Sequence, residues 1–282
     1  MGLARLGLAF AICGLLAACA APADRTAAAS RIAADAGFSA VSFTTRTFRI
    51  AGFTRISDPG APPIVYIEGD GFAWISRNRP SGDPTPIRAL GLRLAVLDPS
   101  PNVVYLARPC QFVRSDPACG VAYWTSRRYA EEVVASMGEA LDQAIAGFPG
   151  HGIHLVGYSG GGAIAALLAE RRADVMSLRT VAGNLDVSAV NRHNRVSATP
   201  DSLNPIDNAL RLAALPQIHW VGEDDKVVPP FVAQRFVGAQ GSPRCARIIR
   251  APAATHEDRW EQVWRTHVAT ALPSCAVPDS AE

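Results

Sequence analysis

The sequence predicts a doubly wound α/β domain, and three observations carry the prediction. Six short runs are almost continuously apolar and rich in Val, Ile and Leu. Longer segments between them place apolar residues at helical spacing, and an alternating stretch precedes them all. Runs without polar alternation are what strands look like when helices cover both faces of a parallel sheet. Of the 282 residues, 49% are apolar, enough for one large core or two small ones, and no internal repeat divides the chain.

The elements follow in order. FSAVSFTTRTFRIAGFTRI, residues 38–56, predicts two or three antiparallel strands at the sheet edge. Strands of the parallel part are expected at residues 64–67 and 102–107, and in GIHLVGYS (152–159), LRTVAGN (178–184), QIHWVG (217–222) and ARIIRAP (246–252). Thr85-Pro86 reads as the cap and first turn of a helix running to about residue 97, and Asn204-Pro205 repeats the device. Over residues 126–147, Tyr129, Val133, Met137 and Leu141 share one helical face. Ile164, Leu167 and Leu168 do so after Gly162, and Trp260, Val263, Trp264 and Val268 in a last helix over residues 258–272. Residues 184–211 are too long for an ordinary connection and suggest a small cap over a site.

Residues 1–18 read as a secretory signal, with Arg5 ahead of an apolar run too short to span a bilayer. The run ends in Leu16-Ala17-Ala18-Cys19, which resembles the lipobox of bacterial lipoproteins. The resemblance implies that Cys19 becomes the first mature residue and carries a lipid. Ala20 in the next position favours the periplasmic side of the outer membrane. The competing reading is an ordinary signal cut nearby. Residues 19–36, Ala-rich and polar, read as a tether to a domain over residues 37–282. In an oxidising compartment Cys110, Cys119, Cys245 and Cys275 suggest two bridges. Of three possible pairings, Cys110–Cys119 and Cys245–Cys275 are favoured because each closes a local segment. The C-x-x-C spacings of a zinc site are missing. A net charge of +2 offers no basic face for nucleic acid.

One motif carries chemistry. Gly157-Tyr158-Ser159-Gly160-Gly161 is G-x-S-x-G, and it follows an expected strand and opens an expected helix. On such a turn the serine is exposed, the flanking glycines relieve backbone crowding, and the Gly160 N–H points where an oxyanion would form. A phosphate-binding loop would need a Lys-Ser/Thr pair after Gly161, which is missing. A serine nucleophile needs a base, and the base an orienter. Asp225 fits the orienter, in the turn after the 217–222 strand; Asp224 and Asp186 are alternatives. His256 fits the base, on the loop before the last helix. His154 and His219 lie within strands and read as core residues, whereas His193, in the cap, is a candidate substrate contact.

From about residue 38 onward the chain resembles the α/β-hydrolases, on the elbow at 157–161, the acid turn at 222–229 and the late His256. The resemblance implies a mostly parallel sheet of about eight strands with helices on both faces. It also implies acyl transfer to water through Ser159, His256 and Asp225 without a cofactor, with an ester as the expected substrate. The substrate would be a small molecule or a lipid. Where many members carry His-Gly-X, this chain reads Glu68-Gly69-Asp70-Gly71. Asp70 aligns with the second oxyanion donor, with Gly71 next. A carboxylate there opposes catalysis unless it is paired or points away. The strand order that the resemblance implies sets the end of the 102–107 strand beside Glu68, and so predicts an ion pair between Glu68 and Arg108 that holds this loop. Glu68 and Asp70 as calcium ligands is the weaker reading. Phe72, Trp74, Tyr123 and Trp124 are candidates for an apolar acyl pocket, and Tyr158 adjoins the nucleophile. A non-catalytic binding lipoprotein and a serine peptidase are the competing functions.

Overall fold

The computed structural model describes residues 24–113, 115–242 and 244–275. The signal segment and Cys19 lie outside them. In chain order the elements are α1 (Arg25–Asp35), β1 (Ser39–Thr44), β2 (Arg49–Ile56), β3 (Ile64–Ile67), β4 (Trp74–Ser76), β5 (Arg79–Pro80), α2 (Leu90–Val96) and β6 (Asn102–Leu106). Then come α3 (Glu131–Ile145), β7 (Ile153–Tyr158), α4 (Gly160–Ala169), β8 (Val175–Val181), α5 (Val187–His193), β9 (Gln217–Gly222), α6 (Phe231–Ala239), β10 (Ala246–Ala251) and α7 (Trp260–His267). Two 3₁₀ turns, Val121–Trp124 and Pro205–Leu212, complete the set.

Eight strands form one sheet in the order β1-β2-β6-β3-β7-β8-β9-β10. The β1–β2 and β2–β6 pairs are antiparallel and all others parallel, so the expected edge hairpin and parallel centre are both present. Alternate residues feed two cores. Val65, Ile67, Val104, Leu106 and Leu155 meet α3, α4 and α6 on one face. Tyr66, Tyr105, Val156 and Trp220 meet α1, α2 and α7 on the other. The central strands β3, β6, β7 and β9 are therefore apolar on both sides, which is why the sequence showed runs rather than alternation there.

Helix α3 begins at Glu131 rather than at residue 126, which leaves Tyr129 outside it, and three other starts differ from expectation. Helix α2 begins at Leu90 rather than at Thr85, whose hydroxyl instead accepts from the Phe112 N–H at 2.9 Å. Asn204 leads a 3₁₀ turn without capping it; its Oδ1 accepts from the Val187 N–H at the start of α5. Residues 25–35, within the expected tether, form α1, capped by Asp24 through the Thr26 and Ala27 N–H groups. Ala29 and Ala33, four residues apart, are buried on its inner side. Small side chains let α1 lie close on the domain, and that packing holds a helix too short to persist alone.

Candidate active site

Strand β7 turns into α4 through Ser159, whose backbone sits at φ 51°, ψ −119°. That is strained for a non-glycine residue. The turn is held from three sides. The Ser159 N–H bonds the Val181 carbonyl at 2.9 Å, and the Ser159 carbonyl accepts from the Gly162 and Asn184 N–H groups. The motif glycines are sterically required. A Cβ at Gly157 would stand 2.4 Å from the Gly161 carbonyl oxygen, and one at Gly161 2.1 Å from that of Ile67.

The three predicted side chains meet. Ser159 Oγ lies 2.9 Å from His256 Nε2, and His256 Nδ1 lies 2.8 Å from Asp225 Oδ2. The carboxylate can only accept, so Nδ1 carries the proton and Nε2 is left to accept from the serine. Asp225 is fixed from behind, its Oδ1 accepting from the Val227 and Val228 N–H groups at 2.8 Å each. The acid turn abuts the histidine loop so closely that a Cβ at Gly222 would stand 2.4 Å from the Ala254 carbonyl oxygen. The alternative acids lie elsewhere: Asp224 is exposed, and Asp186 caps α5 and pairs with Arg235 at 2.7 Å.

Tyr158 holds the base rather than presenting its hydroxyl to substrate. Its hydroxyl donates to the His256 carbonyl at 3.0 Å, as does Trp260 Nε1, and its ring lies 5.7 Å from the imidazole. Sequence reasoning missed this role because the contact spans 98 residues. His193 also points away from Ser159, its Nε2 on the Lys226 carbonyl at 3.2 Å and its ring against Phe231. It braces the acid turn.

The loop after β3 places the Asp70 carboxylate against the start of α4: a Cβ on Gly160 would fall 1.9 Å from Asp70 Oδ1. Arg108 Nη1 donates to that oxygen at 3.2 Å, Tyr129 Oη reaches both carboxylate oxygens at 3.1 and 3.0 Å, and Arg128 Nε stands 3.6 Å from Oδ2. Burial and the nearby Asp70 charge push the Tyr129 hydroxyl up, so it stays protonated and donates. Among the described residues, the N–H groups of Gly160, Asp70 and Gly71 have no acceptor in the protein. Gly71 takes φ 70° and packs beneath Pro84, where any Cβ would stand 2.0 Å from the carbonyl oxygen.

The expected Glu68–Arg108 ion pair is not formed. Ile67 pairs with Leu106, so Glu68 falls on the face of Tyr66 while Arg108 falls on that of Leu106, and the sheet separates them. Glu68 is 1% exposed and accepts from the Gly69, Gly91 and Leu92 N–H groups and from Tyr105 Oη. It caps α2 from a distance. Burial raises its carboxyl pKa, with those hydrogen bonds opposing the shift. The groups around Glu68 and Asp70 are donors and guanidinium cations, the reverse of a calcium shell.

Two cavities, of about 500 and 630 Å³, meet at Ser159. Trp74 lines both, and the larger also takes in Phe72, Tyr158 and His256. Val190 and Asn191 of α5 wall the smaller. Tyr123 and Trp124 line neither: Tyr123 packs edge-on against Phe48, and Trp124 is buried with its Nε1 on the Ser81 carbonyl. Of the four aromatic residues expected in an acyl pocket, only Trp74 and Phe72 line a cavity at Ser159. Cys110–Cys119 and Cys245–Cys275 are bonded in the favoured pairing.

No protein-family model matches the sequence, nor does any curated protein. Solved structures do resemble the fold. Est1E from Butyrivibrio proteoclasticus superposes with a TM-score of 0.59 at 11% identity, over 81% of this chain and 95% of that one. An esterase from Pyrococcus furiosus gives 0.57 at 12% identity, over 83% and 90%. An α/β serine hydrolase without a lid from Xanthomonas campestris gives 0.52 at 14% identity, over 81% and 90%. The chain has the α/β-hydrolase fold. In an α/β-hydrolase fold the rim at the carboxyl ends of the strands is where loops converge, and here β3, β7, β9 and β10 lead into the loops that carry Asp70, Ser159, Asp225 and His256. His154 and His219 stand apart from this rim in strands β7 and β9, bonded to Ser177 Oγ and Thr180 Oγ1.

Proposed function

We propose that the protein is a serine hydrolase that cleaves an ester through an acyl-enzyme. The proposal rests on one observation, the Ser159–His256–Asp225 chain at 2.9 and 2.8 Å with the serine on a strained turn. In this reading Ser159 Oγ attacks the carbonyl carbon as its proton passes to His256 Nε2. The tetrahedral oxyanion accepts from the Gly160 and Asp70 N–H groups. Collapse expels the alcohol, which takes the proton from Nε2. Water then repeats the cycle, releasing the acid and restoring the serine. Asp225 holds the imidazole in the required tautomer and balances its transient charge.

The Asp70 carboxylate is the observation that favours the competing reading, a non-catalytic binding protein. Arg108, Arg128 and Tyr129 all engage it, so the cluster carries a net positive charge where a negative one would oppose the reaction. Hydrolysis of short aryl esters tests the proposal. Wild type should turn them over and Ser159→Ala should fall to background; equal rates in the two would refute it. The proposal extends to location: export, and attachment to the outer membrane through a lipid on Cys19. Among the described residues no helix is long and apolar enough to cross a membrane. Metabolic labelling with a fatty acid, compared with Cys19→Ala, tests the anchor.

A further inference from the structure

The two cavities at Ser159 are not equivalent, and His256 lines only the larger. In acyl transfer the base returns its proton to the departing oxygen, so the leaving group must sit within reach of Nε2. The larger cavity is then the alcohol side and the smaller the acyl side. Their walls differ. The alcohol side carries Phe72, Ala73, Pro86 and Ile87. Arg128 and Asp70 line both cavities; the alcohol side adds Arg88 with Glu68 and Glu257, whereas the acyl side adds Arg77 and Arg195 with no further carboxylate, Arg108 and Arg128 both engaging Asp70.

Two buried polar atoms of residues lining this cavity make no hydrogen bond among the described residues: Asn184 Oδ1, and Arg128 Nε, whose one charged neighbour is Asp70 Oδ2 at 3.6 Å. Their orientation is fixed by neighbours. The Tyr129 hydroxyl has one proton, and the Asp70 carboxylate takes it. The phenol oxygen therefore accepts from Asn184 Nδ2 at 3.3 Å, which turns Asn184 Oδ1 away from it. Arg128 gives one Nη2 bond to Asn191 Oδ1 at 3.1 Å and leaves other donors of its fork uncommitted. A purely aliphatic acyl chain would pair none of these groups.

Resting on the hydrolase reading, we infer that the acyl half of the substrate ends in a carboxylate that Arg128 receives, with Arg77 and Arg195 adding to the positive field. A guanidinium fork matches a carboxylate in two parallel hydrogen bonds, and a wall with excess positive charge draws an anion in. The acid released on hydrolysis would then be a dicarboxylate.

Monomethyl glutarate and methyl pentanoate share a length and differ in one terminal carboxylate, and proton release at constant pH follows both. Wild type should favour monomethyl glutarate by about tenfold or more in kcat/KM, through KM. The preference should fall toward one in Arg128→Gln. If that variant does not fold, Arg128→Lys keeps a countercharge for Asp70 while losing the fork, and its preference should fall several-fold. Glutarate should also slow fluorophosphonate labelling of wild-type Ser159 more than pentanoate does. Labelling of Ser159 with equal or poorer use of monomethyl glutarate would overturn the inference and leave the hydrolase reading standing. An undiminished preference in both variants would overturn Arg128 as the receptor. Failure of Ser159 to label would remove the hydrolase reading and this inference with it.

Discussion

Both oxygens of Asp225 are committed, Oδ2 to His256 Nδ1 and Oδ1 to the Val227 and Val228 N–H groups. Asp225→Asn keeps the shape but puts a donor against donors or forces the wrong imidazole tautomer, and should lower kcat by about 10³- to 10⁴-fold. Steady-state kinetics beside a thermal melt would show activity lost with the fold retained. His219 makes a different prediction. Burial with one hydrogen bond drives its pKa from 6.5 down to about 3. The folded-state value lies below the unfolded one, so the unfolded chain binds more protons, and this residue's support of the fold drains away as pH falls from about 6.5 toward 3. At pH 5 the loss is about 2 kcal/mol. The drop in melting temperature between pH 7 and 5 should be smaller in His219→Gln than in wild type. That Ser159, Asp225 and His256 come together was legible because the elbow has a local signature and the proposed orienter and base follow it in a fixed order. Tyr158 was not, because its task is set by a carbonyl brought to it from the far end of the chain.

Among the elements, α2 depends most visibly on something outside itself. No side chain of its own caps it, and the Glu68 carboxylate takes the Gly91 and Leu92 N–H groups instead. Glu68→Gln would set an amide donor against those donors or lose one of the four contacts, a destabilisation of about 1–3 kcal/mol. Denaturant melts should register it; an unchanged midpoint would mean that α2 needs no carboxylate. The elbow is equally intolerant: Gly157→Ala and Gly161→Ala each place a methyl group within 2.4 Å of backbone, and neither should yield folded protein in amounts comparable to wild type. Strand positions were legible because residues buried on both faces leave an apolar run. Helix starts were less so, since the caps of α2 and α5 come partly from Glu68 and Asn204, distant in sequence. The Glu68–Arg108 error has the same root: adjacent strands were identified correctly, but which face each side chain takes depends on register, and the register was invisible.

For the whole molecule, the two disulfides pin segments that adjoin well-separated strands, the third and the last in the sheet order. Cys110–Cys119 closes a loop after β6, and Cys245–Cys275 ties the start of β10 to the segment after α7. With sequence separations of 9 and 30, loop-closure entropy assigns them roughly 3 and 4 kcal/mol. Reduction should lower the melting temperature, and Cys245→Ser with Cys275→Ser should lower it more than the other pair. The sheet, its helical layers and the rim of functional loops could all be anticipated from patterning. The character of the cavity beside Ser159 could not, because it arises where the turn between β4 and β5, the segment before α3 and the segment after α5 bring Arg77, Arg128 and Arg195 together. The convergence of Ser159, His256 and Asp225 remains what the functional account depends on. Peptide mapping after a fluorophosphonate reaction tests it most directly. Folded wild type should carry one adduct, on Ser159, formed orders of magnitude faster than in His256→Ala. An unmodified Ser159, or one modified equally fast without the imidazole, would contradict it.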